Sequence, residues 1–389
     1  MTLQTLWAAT AEPAPALRSL TGDRQCDVVI IGGGYTGLSA AHHIALSGRE
    51  PLILEANTLA WGASGRNGGV VSSKFRVGFP TLMARFGRDT ALQMYRTGYQ
   101  AVDSLVEMVE TLGLTEARLH MGGHIAAAHN PHALLGLQAT ANWIERETGG
   151  RSSVMISAAE VAELTGSKIF AGGLLTPKAG GIHPLNYARG IARSLNDRGV
   201  KMFINSPAER VSREGERVVV QTPQGKVSAR QVIYATNGYS DLTRATDTLH
   251  RRLIPFRSAI IATEPLPVAI LAGLLPGGQV CGDTKRMLRW FRVVGDRLIF
   301  GGRGAFGKDD SEAAFRALQR SMGVVFPVLR DQPIAFRWSG LVAMTLDYLP
   351  HAGQLDDQRF YAIGYNGGGV AMSTYMVAQL AAMTAGKHV

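Results

Sequence analysis

The chain has 389 residues, 46% hydrophobic and 18% charged, which excludes a disordered or low-complexity protein and allows two domains with good cores. Its formal charge of +10 comes from 40 basic and 30 acidic residues, but the basic residues are scattered arginines without a run, so a solvated basic surface is expected and no nucleic-acid partner. The two cysteines, Cys26 and Cys281, exclude a disulfide framework and offer no zinc spacing, so no metal site is expected.

Residues 1 to about 22 are Ala/Pro-rich and polar, and read as an arm laid on the surface. They lack the basic start and apolar core of a signal peptide. No apolar stretch reaches the roughly 18 residues of a spanning helix. A soluble, cytoplasmic protein without a transmembrane segment is expected.

The stretch from Asp27 to Glu55 is the most informative. Asp27 to Ile31 is a short, β-branched apolar run suited to a strand buried on both faces. Gly32, Gly34 and Gly37 fall in a G-x-G-x-x-G frame, with Tyr35 and Thr36 inside it. A helix follows to Ser47, Gly48 stands at its C-terminal stop, and Pro51 to Leu54 forms a second strand ending on Glu55. This strand–turn–helix–strand unit is the context a dinucleotide fingerprint requires. The first glycine permits the tight turn, the second lets backbone N–H groups approach a pyrophosphate, and the third lets the helix pack on the strand. The helix N-terminus favours the phosphates. Glu55, with Ala56 beside it, is placed to accept from a ribose diol.

Trp61 to Gly69, WGASGRNGG, is a small-residue loop that can approach a ligand closely. GGGYTGLSAA, the acid at the second strand end and GASGRNGG together resemble the FAD-dependent amine oxidase family. This is the glutathione-reductase-like group that holds D-amino acid, glycine and sarcosine oxidases. The resemblance is strongest to the bacterial γ-glutamylputrescine oxidase branch. It implies an α/β fold: a Rossmann-like FAD-binding domain with an antiparallel-sheet α+β substrate domain, discontinuous in sequence. It also implies that Trp61, Gly62, Ser64, Gly65, Arg66, Asn67, Gly68 and Gly69 line the pyrophosphate and the flavin edge. For Arg66, a surface salt bridge is the competing reading. The domains expected are 1–80, 151–245 and 346–389 for FAD, and 81–150 and 246–345 for substrate.

Residues 81–112 read as helices, LHMGGHIAAA as a strand, and Pro131 to Thr148 as a helix capped by Asn130 and stopped at Gly149–Gly150. AAEVAEL is a further helical piece, and His183–Pro184 opens another helix. In the family this turn passes beside the substrate cavity, so His183 is a candidate substrate contact; a capping residue is the alternative. KMFINS, ERVVVQT and KVSARQVIYAT alternate as strands and end at Ala235, Thr236, Asn237 and Gly238. By resemblance this strand end is a second FAD contact, and Ala208 to Val211 contact the adenine.

From residue 250 to 345 strands with short turns, including a hairpin about Gly295–Asp296, imply an antiparallel sheet. The last segment is a strand, Phe360 to Ile363, then Gly364, Gly367, Gly368, Gly369 and Val370 opening an apolar helix. The resemblance places that helix N-terminus at the flavin, and buries the helix against the first strand. Family members run a few tens of residues past this helix, whereas this sequence stops at Val389, as a truncated chain would.

The family chemistry is hydride transfer from a C–H beside nitrogen to FAD, so no triad is sought. The resemblance implies a small-molecule amine or amino acid as substrate, and O2 or another electron acceptor. By resemblance Arg303, Trp290, Trp338 and Tyr365 face the substrate; for the two tryptophans core packing is an equal alternative. Arg289 and Arg292 read as structurally paired. Amino acid oxidases place an arginine near Gly340–Val342, where Val342 stands here. Sarcosine oxidases carry a cysteine for covalent flavin and a lysine for the oxygen reaction, where Ala343 and Ile299 stand. Non-covalent FAD is expected. The substrate expected lacks an α-carboxylate or has it held by another arginine such as Arg303.

Overall fold

The computed structural model describes residues 4–240, 243–303 and 310–387; the side chains of Asp247 and Arg303 lie outside the description. The chain forms two large sheets. The first has the order His351–Gln354, Arg359–Ile363, Gly225–Tyr234, Arg24–Ile31, Pro51–Leu54, Lys201–Phe203. Its inner pairings are parallel, and an antiparallel meander, Arg210–Glu214 and Arg217–Thr222, extends from the Gly225–Tyr234 strand. The apolar run after Asp27 is continuous because both faces are covered. Val28 and Ile30 point into the helix-side core, Val29 and Ile31 into the core under the meander. On the helix side lie Tyr35–Leu46, Pro184–Asp197 and Gly369–Thr384, with Arg88–Thr111 against the last of these. The apolar final helix is thus buried within the protein, as expected. No helix among the described residues is long and apolar enough to cross a membrane.

The second sheet runs Ile334–Met344, Ile254–Thr263, Arg297–Arg303, Arg289–Val294, Val280–Asp283, His124–Ala127, Gly173–Thr176, Val154–Ile156. All its pairings are antiparallel except that of Val280–Asp283 with His124–Ala127. Alternation sets its two faces. Ala259, Ile261, Phe291 and Phe300 pack under the Glu312–Val325 helix, while Ile260, Ala262, Ile299 and Trp338 face the first domain. Two expectations change here. Val154–Ile156 and Gly173–Thr176 belong to the second sheet, so the boundary expected at residue 150 falls short of the sheet's last strands. The N-terminal arm runs over the surface as expected from Ala8 to Ser19, but it is anchored at its start. Leu6–Thr10 is a helical turn whose Leu6 and Trp7 are 2% and 0% exposed.

Candidate active site

A cavity of about 820 Å³ lies between the glycine turn of the first sheet and the inner face of the second, within the roughly 300–1,000 Å³ typical of small-molecule sites. Glycines shape its first wall. Gly32 has φ +113°, and a Cβ there would sit 2.8 Å from the Ala235 carbonyl oxygen. A Cβ on Gly34 would meet Ser64 Oγ at 2.8 Å, the oxygen that accepts from Tyr35 N at 2.9 Å. The N-cap residue Gly34 has no side chain to cap the Tyr35–Leu46 helix; Ser64 Oγ takes the Tyr35 N–H, and Tyr35 and Thr36 line the cavity at the helix end. Glu55 accepts from Gly33 N at 2.7 Å and Asn57 N at 2.8 Å. Burial raises its pKa above the usual carboxylate range, against the pull of these backbone donors. Each carboxylate oxygen retains a lone pair for a ligand.

The Trp61–Gly69 loop is held from behind. Asn67 donates through Nδ2 to the Ala63 and Ser64 carbonyls at 3.0 Å each and accepts from Gly69 N at 2.7 Å. Three donors from distant elements take three of its carbonyls. Trp7 Nε1 donates to Asn67 O at 2.8 Å, Trp338 Nε1 to Arg66 O at 3.0 Å, and Arg292 Nη1 to Gly69 O at 2.6 Å. Arg66 lies over the Trp61 ring at 5.2 Å and donates to the Trp61 carbonyl, so it is no surface salt bridge. Arg289 is paired, with Asp283 at 2.5 Å. Arg292 pairs with a carbonyl rather than an acid, and burial pushes its guanidinium down to about 10.

Among the expected residues Gly32, Gly34, Tyr35, Thr36, Glu55, Ala56, Trp61, Gly62, Ser64, Arg66, Asn67 and Gly68 line the cavity. So do Ala208, Ala235, Thr236, Asn237, Trp290, Tyr365, Gly367, Gly368, Gly369 and Val370. Tyr365 is anchored by a 3.0 Å hydrogen bond with Thr36 Oγ1. The Trp290 ring fills the space beside Gly68 and Gly301, where a Cβ would fall 2.3 and 2.1 Å from it. The final helix, like the first, has no side-chain cap on its N-terminal glycine.

Other expected residues stand behind the wall. Gly37, Gly65, Gly69, Gly238 and Gly364 are packing or turn glycines; a Cβ on Gly37 would lie 1.9 Å from Gly32 O. Val211 is corrected: it pairs with Val220 in the meander, away from the cavity. Trp338 is 0% exposed and touches the loop from beneath. His183 is a helix cap and does not line the cavity. Its Nδ1 accepts from Asn186 N at 3.1 Å, its Nε2 meets Thr10 Oγ1 at 3.0 Å, and its ring packs on Trp7. Burial, with Arg118, Arg292 and Arg189 nearby, lowers it to about 4, so it is neutral. The Arg303 side chain lies outside the described residues.

Sequence reading missed four contributors. Lys74, Lys285 and Arg286 line the cavity. Asn366, with φ +53°, accepts from Thr345 N at 2.9 Å and donates to the Gly364 carbonyl, fixing the glycine turn. The Asn in GYNGGG was a usable signal, because a non-glycine at positive φ favours asparagine. Lys74 had none, since its partner His124 is fifty positions away.

A two-domain α/β chain with a glycine-turn cavity closed by an antiparallel sheet is the architecture of a flavin-dependent oxidoreductase. Residues 27–383 match the family DAO, FAD dependent oxidoreductase, and the chain belongs to it. It is 31% identical over 370 residues to the probable oxidoreductase OrdL of Haemophilus influenzae, covering 91% of this chain and 81% of that one. It is 29% identical over 377 residues to the γ-glutamylputrescine oxidoreductase of Escherichia coli, covering 97% and 87%. In fold it is similar to glycine oxidase from Geobacillus kaustophilus, with TM-score 0.80, 18% identity, and 94% and 96% of the two chains covered. It is likewise similar to L-proline dehydrogenase from P. horikoshii, with TM-score 0.78, 19% identity and 95% of each chain. FAD is the cofactor. The site fits it: side-chain-free glycine walls, two helix N-termini that begin on glycine and an acid at the second strand end all open on one cavity.

Proposed function

We propose that this protein oxidises the C–N bond of a primary or secondary amine to an imine, with a γ-glutamylputrescine-like amine or an amino acid as substrate and O2 accepting the electrons to give H2O2. The observation that carries this reading is the continuity of one cavity from Gly32 and Glu55 to the inner face of the second sheet. FAD held there non-covalently would supply the hydride acceptor for a C–H beside nitrogen. Glu55 would hold the ribose, the Tyr35 helix end and the Ser64–Gly68 loop the pyrophosphate, and Gly367–Val370 the flavin ring. Trp290, Tyr365, Phe256 and Leu288 supply apolar walls that orient the substrate and exclude water. Lys74, Lys285 and Arg286 disfavour a substrate ammonium by like charge, which promotes the free amine that must lose hydride. The imine then hydrolyses in water. A cytoplasmic location, a substrate unit spanning 81–177 and 246–345, and an FAD unit from the remainder complete the proposal.

The second reading is a dehydrogenase of the same fold, acting on a pipecolate-, sarcosine- or D-amino acid-type substrate with another acceptor. Ile299, at the place of the oxygen-reactive lysine of sarcosine oxidases, is fully buried and favours it. The purified holoenzyme, mixed anaerobically with a panel of amines and amino acids, is expected to lose its visible flavin absorbance with at least one. A flavin that none of them bleaches sinks both readings. Peroxide formation on admitting air selects the oxidase, and dye reduction without peroxide selects the dehydrogenase. Glu55→Ala is expected to weaken FAD binding roughly ten- to a hundredfold, read by the fluorescence of released flavin; unchanged affinity removes Glu55 from the ribose.

A further inference from the structure

Tyr348 holds a backbone conformation that a large side chain does not favour. Its φ is +62°, in the left-handed region where a bulky residue is an outlier. The turn that imposes this angle is fixed from several sides. Tyr348 N donates to the Thr345 carbonyl at 3.2 Å, Thr345 Oγ1 to the Leu349 carbonyl at 2.8 Å, and Leu349 N to Asp347 Oδ1 at 3.0 Å. Arg85 Nη1 donates to the Asp347 carbonyl at 3.1 Å. Asn366 Oδ1 accepts from Thr345 N at 2.9 Å, which ties this turn to the glycine turn that opens the final helix. Only the backbone of Tyr348 takes part in these bonds, so glycine would make the same ones without the strain.

The fold gains little from the ring. Tyr348 is 45% exposed, and among the described residues its hydroxyl has no hydrogen-bond partner and its ring no aromatic or cationic one. What the strained turn does achieve is placement. Tyr348 lines the cavity, while Leu346 in the same turn is 86% exposed, so the ring stands where the cavity meets solvent. The other long side chains that line the cavity and are exposed, among the described residues, are Lys74, Arg76, Lys285 and Arg286. Those are flexible chains that yield to an entering molecule. A ring with two torsions on a fixed turn does not yield in that way. Strain kept at a residue that packing does not need points to function.

We propose that Tyr348 determines specificity by size: its ring narrows the mouth of the cavity and limits how broad a molecule can be and still reach the flavin. An unbranched chain passes the ring end-on, and a molecule as broad as several linked aromatic rings does not. This size limit rests on the flavin placement proposed above, with the flavin ring at Gly367–Val370, and not on which molecule is oxidised.

The test is anaerobic reduction of the holoenzyme, followed by the loss of visible flavin absorbance, with dithionite as a compact reductant and reduced benzyl viologen as a broad one. Neither requires that an amine be turned over. Tyr348→Gly removes the ring and the strain together, and Tyr348→Phe keeps the ring. Tyr348→Gly is expected to speed reduction by the viologen roughly tenfold or more, the effect of about 1.4 kcal/mol on a barrier, and to leave reduction by dithionite nearly unchanged. Tyr348→Phe should match the wild type with both reductants. The Tm of Tyr348→Gly should stay close to that of the wild type. An unchanged ratio of viologen to dithionite rates in Tyr348→Gly overturns the proposal. If the ratio is unchanged and Tyr348→Gly also releases FAD faster, the flavin placement fails as well, because the ring then covers the other end of the cofactor. An unchanged ratio with a lowered Tm assigns the ring to packing instead.

Discussion

Gly37→Ala is expected to abolish stable FAD retention and to destabilise the first domain by more than about 3 kcal/mol, at or beyond the upper end of ordinary overpacking. Helix propensity alone points the other way, since alanine is favoured over glycine in a helix interior by about 1 kcal/mol. The structure decides between them. A Cβ on Gly37 would stand 1.9 Å from the Gly32 carbonyl oxygen and 3.1 Å from its carbon. Backbone, not a flexible side-chain tip, occupies that space. The helix would have to lift from the strand, carrying away the Tyr35 N–H and the packing of Leu38 and Ala41 in the helix-side core. Gly136→Ala provides the opposite sign with the same chemistry. Gly136 lies inside the Pro131–Thr148 helix, is exposed, and has nothing within 4 Å of a Cβ. That variant should gain up to about 1 kcal/mol. Thermal unfolding of the two holoproteins, with FAD content after desalting, checks both. A Gly37→Ala protein that keeps its flavin and its Tm would show that the turn tolerates a methyl group.

The Gly37 result is predictable from sequence because its constraint is local. Glycine spacing, an apolar run and an acid within thirty residues define one supersecondary unit. The Pro131–Thr148 helix is legible for the same reason: Asn130 caps it through a bond to the residue three positions on. The hairpin about Gly295–Asp296 was equally local. What failed depends on contacts far along the chain. Residues 1–22 looked like a surface arm because Ala, Pro and polar residues surround one tryptophan, and nothing local says that Trp7 meets Asn67 and Trp338. The resemblance turns His183 and Trp338 toward the substrate, yet neither lines the cavity: His183 caps its own helix and packs on Trp7, and Trp338 holds the Arg66 carbonyl from beneath. Val154–Ile156 and Gly173–Thr176 join the second sheet beyond the expected boundary, because a short strand does not announce which sheet it joins. Lys74 carries no local signal, since a single lysine after a serine pair resembles any solvated residue, and its place on the cavity beside His124 comes from the fold.

Trp7→Ala should raise the FAD dissociation rate although Trp7 lies in the N-terminal arm, outside the cavity wall. Trp7 is 0% exposed, packs edge-on against His183 at 5.0 Å and Trp338 at 6.1 Å, and lies under the Arg292 guanidinium at 5.9 Å. Truncating a buried tryptophan costs about 3–5 kcal/mol. That range already exceeds what the short Leu6–Thr10 helix can supply by itself, so the arm is expected to undock while the two domains stay folded. Undocking also frees Thr10 from His183, and Glu12 N from Asn186 Oδ1. The Asn67 carbonyl then loses its donor. Trp338 and Arg292 still hold the carbonyls of Arg66 and Gly69, so the Ser64–Gly68 loop is pinned on both sides of a gap at the residue whose amide organises it. Trp7→Phe separates the two contributions. It keeps most of the packing and loses only the indole N–H, which should cost about 1–3 kcal/mol for the carbonyl left unpaired. The expected order of FAD dissociation rates is Trp7→Ala fastest, Trp7→Phe intermediate and wild type slowest, with limited proteolysis cutting the Trp7→Ala arm first. If Trp7→Ala releases FAD no faster than the wild type while its arm is readily cleaved, the arm and the cofactor loop are uncoupled, and the three-donor support does not govern how firmly the cofactor is held.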